Sequence, residues 1–159
     1  MSQLPRHASG KPVDLVRQEL TGAALPPCSV WHVEGATPQA IVLVGHGGSQ
    51  DRNGAFVQMI ARAVAERVPA YIVAMDGPVH GDRRTGDAAK SREAFVNLWL
   101  SPEGGVSGMI VDWQSVLSAV RKLEGAATLP VGYYGVSMGT AYGIPFLATE
   151  PAIRVAALG

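Results

Sequence analysis

The arrangement in this chain best able to do chemistry is Gly135-Val136-Ser137-Met138-Gly139, a serine set between two glycines. The short apolar run at 131–134 leads into it, and a helix-like segment follows. A strand that stops, a sharp turn and a helix leave the middle residue at the tip with its hydroxyl exposed, which is how a serine nucleophile is presented. Glycine suits positions 135 and 139, because side chains there would collide with the neighbouring strand and helix. An ordinary glycine-rich turn can carry the same letters, so the weight falls on context.

Two further loops hold side chains of chemical interest. Gly45-His46-Gly47-Gly48-Ser49 follows the apolar run 40–44. Asp76-Gly77-Pro78-Val79-His80-Gly81-Asp82-Arg83 follows the apolar run 70–75. Asp76, His80 and Asp82 can be drawn as a metal set, yet no spacing such as His-Glu-x-x-His supports it, and no metal is expected. No Gly-Lys-Ser/Thr follows any of the glycine loops, which speaks against phosphate cradles. Cys28 is the single cysteine; it excludes an internal disulfide and cysteine-based zinc motifs, and it reads as a small core residue.

These loops need a scaffold. The 159 residues suffice for one domain with one core. Hydrophobic residues make up 47% and charged residues only 16%, which suits a sheet buried on both faces. The formal net charge is zero, so no nucleic-acid or anionic-membrane partner is indicated. Residues 1–20 lack an apolar core of signal-peptide type, and no run is long enough to span a bilayer; a cytoplasmic protein is the expectation.

Residues 1–27 read as a lead-in, loosely ordered at its start, with a short helix-like piece at 13–20. Residues 28–34 alternate apolar and polar side chains, as a strand with one solvated face would. The runs 40–44 and 70–75 have the β-branched, apolar character of central parallel strands. Between them Phe56, Ile60, Ala63, Val64 and Val68 mark an amphipathic helix ended by Pro69. Trp113, Val116, Leu117, Val120 and Leu123 stripe a second helix over 110–123. Residues 84–108, with a helical patch at 88–100, form a long excursion that is either a lid or a surface detour. Residues 138–148 should be a helix shortened or kinked by Pro145, and 153–158 one more strand. Alternating strands and helices give an open, mostly parallel α/β sheet with helices on both faces, and all three loops lie at carboxyl ends of its strands.

In these three loops and their order, the sequence over residues 28–159 resembles the alpha/beta-hydrolase superfamily, dienelactone-hydrolase-like branch. The resemblance implies Ser137 as nucleophile and an oxyanion hole made by the Met138 N–H with one N–H from Gly47 or Gly48. It makes His46, Asp76 and His80 residues that shape the site. It implies a cofactor-free reaction on a small-molecule carboxylic ester or lactone. One departure stands out: such hydrolases place the acid and the histidine base after the serine, whereas residues 138–159 contain no Asp or His, and Glu150 comes too early. The fold is therefore expected to be truncated after the strand that follows the nucleophile helix, with the triad acid and base unidentified. An unpaired apolar edge there points to self-association. The competing reading is a non-catalytic remnant or binding module; a third has His80 standing in as the base.

Overall fold

The computed structural model describes residues 13–159. The loosely ordered start expected for the lead-in lies outside the described residues. The strands are β1 (Leu15–Leu20), β2 (Cys28–Val33), β3 (Ala40–Gly45), β4 (Ala70–Met75), β5 (Val131–Gly135) and β6 (Ile153–Leu158). The helices are α1 (Ala55–Ala65), α2 (Ala88–Trp99), α3 (Val106–Val120) and α4 (Met138–Thr149). One sheet takes the strands in the order β1-β2-β4-β3-β5-β6. From β4 to β6 the neighbours run parallel; β2 joins β4 antiparallel, and β1 joins β2 antiparallel.

The sheet separates two cores. β4 is buried along its whole length. Its Tyr71, Val73 and Met75 face a cluster that includes Trp113, Val116 and Val120 of α3 and Phe146 of α4. Its Ala70, Ile72 and Ala74 face Val57, Ala61 and Ala65 of α1. A strand covered on both faces has no polar side to present, which is why it reads as an unbroken apolar run. Trp113 stacks on Phe146 and meets Tyr133 edge-on, so this tryptophan belongs to the core.

The strand order positions the site. After β3 the chain adds β4 on one side; after β4 it crosses to the other side of β3 and adds β5. The loops leaving β3 and β5 therefore diverge in opposite directions from adjacent strand ends. Such a switch point opens a crevice at the carboxyl edge of the sheet.

Several sequence expectations are corrected. Residues 15–20 form a strand, not a helix: β1 pairs along its full length with β2, from Leu15 opposite Val33 to Leu20 opposite Cys28. β2 has no fully solvated face, since Ser29 is buried and hydrogen-bonded to Glu19 of β1. The buried stripe of α1 is Val57, Ala61 and Ala65, while Ile60, Val64 and Val68 are only partly covered. Small residues on that stripe let the helix lie close over Ala70 and Ala74. The second helix begins at Val106, earlier than expected, after Gly105 at φ 76°. Pro145 sits inside α4 without ending it. Among the described residues no helix is long and apolar enough to cross a membrane.

Candidate active site

Ser137 is exposed at the point where β5 gives way to α4, with φ 52° and ψ −113°. A side-chain-bearing residue held there is strained by roughly 1–3 kcal/mol. The surroundings impose it. A Cβ at Gly139 would overlap the Gly45 carbonyl, and one at Gly135 would lie 2.7 Å from the Gly139 carbonyl oxygen. Only glycine allows α4 to start so close to β3 and β5. The turn is then pinned by Val136 N–H donating to Gly45 O (3.2 Å), Ser137 N–H to Gly159 O (2.8 Å) and Tyr133 Oη to Gly139 O (2.7 Å).

The loop after β3 lies directly over this turn. A Cβ at Gly47 would meet Ser137 Cβ at 3.9 Å, and one at Gly48 would meet Met138 Cβ at 4.0 Å. The backbone N–H groups of Gly47, Gly48 and Met138 find no acceptor among the described residues. The exposed Ser137 thus sits at the N-terminus of α4, close to a loop whose backbone donors have no partner among the described residues.

His46 is buried and clamps that loop. Its Nδ1 lies 2.8 Å from Gly47 O and its Nε2 accepts the Gly77 N–H at 2.9 Å, which fixes the proton on Nδ1. Burial above all, with nearby His80 adding to it, pushes its pKa below the ordinary 6.5. His80 reaches across from the β4 loop: its Nδ1 faces Pro78 O at 2.8 Å and its Nε2 faces Gly48 O at 2.7 Å. Val79, just before it, is held at φ 60°. Among the described residues, Val79 and Ser137 are the non-glycine residues with positive φ, and both lie at strand ends beside the crevice.

Asp76 is fully buried. Its carboxylate accepts the Arg52 N–H (3.0 Å) and the Asp82 N–H (2.8 Å), and it pairs with the Arg52 guanidinium. Arg52 also reaches Asp82 (2.7 Å) and Glu19 of β1 (3.3 Å). Asp76 and Asp82 are thus bound to an arginine, and His80 to carbonyls. Arg83 bonds Asp112 of α3 at 2.6 Å and the Asp76 carbonyl at 3.2 Å. Among the described residues, no histidine or carboxylate is hydrogen-bonded to Ser137, so His80 is not in place as a base.

The sequence reading missed Arg52, whose partners lie far along the chain and carry no local signal. Beside Ser137 a cleft of about 450 Å³ opens between α2 and the start of α4, with Trp99 on its wall. The excursion at 84–108 therefore contributes to the surroundings of the serine through α2.

No family model matches the sequence, and no curated protein matches it. Solved structures do. A cold-adapted esterase from an Arctic intertidal metagenomic library aligns with all of this chain at 29% identity and a TM-score of 0.72. A dienelactone hydrolase-like promiscuous phosphotriesterase from metagenomic libraries aligns over 94% of the chain at 17% identity and a TM-score of 0.68. A dienelactone hydrolase from Anabaena variabilis aligns over 93% at 15% identity and a TM-score of 0.60. The chain spans 65%, 59% and 62% of the lengths of these three proteins. The chain therefore has the alpha/beta-hydrolase fold, in the form shared by dienelactone-hydrolase-like proteins.

Proposed function

We propose that this chain carries the nucleophile and the oxyanion hole of a serine hydrolase acting on a carboxylic ester or lactone. Ser137 Oγ attacks the carbonyl carbon, and the carbonyl oxygen becomes an alkoxide. That charge is received by the Met138 N–H and by an N–H from Gly47 or Gly48. Such a donor contributes about 3–4 kcal/mol, because the charge exists only in the transition state. Collapse of the intermediate expels the alcohol, or opens the lactone ring, and leaves an acyl-serine that water hydrolyses.

The observation that carries this reading is the exposed Ser137 at φ 52°, close to a loop whose Gly47 and Gly48 N–H groups have no acceptor among the described residues. The esterase and hydrolase neighbours support it. Proton acceptance from Ser137 is left to a group outside the described surroundings of the hydroxyl. His46, Asp76 and His80 hold the loops in register. We further propose that the open edge of β6 associates with a second copy.

Labelling with a fluorophosphonate, read by intact mass, tests the proposal. The expected result is a single adduct that disappears in Ser137→Ala. No adduct on the unaltered chain would favour the competing reading, a binding module without turnover.

A further inference from the structure

α2 has an unusual distribution of apolar side chains. It carries Phe95, Val96, Leu98 and Trp99, yet the one residue it buries is Ser91. A surface helix ordinarily turns its apolar stripe into the core. Here Phe95, Val96 and Trp99 line the cleft beside Ser137 with the following Leu100, and Val96, Trp99 and Leu100 are 44%, 43% and 76% exposed. Of the large apolar side chains left exposed among the described residues, these three stand together on one wall. Met138 and Ala141 of α4 form the wall opposite.

The wall is braced. Phe95 meets the His80 ring edge-on at 4.8 Å, Trp99 lies 5.8 Å from Phe95, and Trp99 meets Tyr142 edge-on at 5.5 Å. Tyr142 Oη in turn donates to Gly104 O at 2.7 Å. The stripe is therefore a held surface, one side chain away from the loop that bears Gly48. Contiguous apolar surface of this kind marks a binding site.

Among the described residues, no lysine, arginine, aspartate or glutamate lines the cleft. The guanidinium groups of Arg52 and Arg83 are bound to carboxylates. A carboxylate lying along this apolar wall would give up water there without meeting a charged side chain of the lining residues, which costs binding. The volume of about 450 Å³ lies in the range of small-molecule sites.

We infer that this cleft is the acyl pocket of the proposed hydrolase and that it selects uncharged, apolar acyl groups of medium length or aryl type over carboxylate-bearing ones. The inference rests on the reading of Ser137 as the reacting centre. Each added methylene should strengthen binding roughly fourfold until the cleft is filled.

Unreactive amides separate the two claims. Butanamide, hexanamide, benzamide and the anion succinamate are titrated into the chain by saturation-transfer NMR, without any need for turnover. The expected result is binding that tightens by about an order of magnitude from butanamide to hexanamide, with succinamate weakest. Trp99→Ala should weaken hexanamide and benzamide. Leu100→Lys, at a position open to solvent, should raise succinamate binding roughly fivefold while lowering that of hexanamide. A flat dependence on chain length, succinamate binding as well as hexanamide, or no binding of any amide overturns the inference. Should the amides behave as expected while fluorophosphonate leaves Ser137 unmodified, the pocket stands and the nucleophile reading falls. Labelling of Ser137 with no preference among the amides does the reverse.

Discussion

His46 concentrates the site's demands in one ring. It must accept from the Gly77 N–H and donate to Gly47 O, and a neutral imidazole with its proton on Nδ1 does both. Protonation would turn the accepting nitrogen into a donor aimed at another donor. Burial also opposes the charge, so the folded pKa lies below the unfolded value of about 6.5. For a group so depressed, the stabilisation is fully present above pH 6.5 and is lost as pH falls from there through the folded value. The hydrogen bond to Gly47 O moderates the shift, His80 reinforces it, and Asp76 and Asp51 add smaller opposing effects. The urea midpoint should therefore fall between pH 7.5 and pH 5.5. In His46→Gln the unfolding free energy should start lower at pH 7.5, by about 1–2 kcal/mol, and the midpoint should fall less with pH. Parallel declines in the two proteins would show that His46 does not titrate with unfolding.

The loops at the strand ends are not free to choose their positions, because a buried arginine ties them together. Arg52 draws Asp76 from the end of β4, Asp82 from the following 3₁₀ turn and Glu19 from β1 onto one guanidinium. With Asp76 wholly buried, this arrangement is a registration device, since removal of one partner leaves a charge without compensation. Arg52→Met should destabilise the chain by about 3–5 kcal/mol in urea unfolding. Asp76→Asn combined with Arg52→Met should cost clearly less than the two single changes summed, because the two side chains share the interaction. A loss under about 1 kcal/mol in Arg52→Met would mean that the ion pair does not set the loops.

Across the molecule, what the sequence shows and what it hides divide on physical grounds. β3, β4 and β5 and the loops leaving them are legible because burial on both faces demands unbroken apolar runs, and sharp turns demand glycine. β1 is not. Its Leu15, Val16 and Leu20 have helical spacing, and only pairing with β2 makes it a strand, so tertiary context overrides the local pattern. The turn that holds Ser137 and the glycine loop after β3 could be read from motifs; the Arg52 partners and the α2 wall could not, because they depend on which distant elements the topology brings together. Among the described residues β6 is paired on one side, with β5, and its residues after Ile153 are exposed. Val155 is 68% exposed there, beside a row of backbone groups able to template another strand. The chain should therefore associate as its concentration rises, visible as a growing sedimentation coefficient. Val155→Lys places a charge on that strand, as natural edge strands do, and should keep the protein monomeric at concentrations where the parent chain associates. Equal association of both proteins would move the contact away from β6, and the apolar wall of α2 would be the next surface to alter.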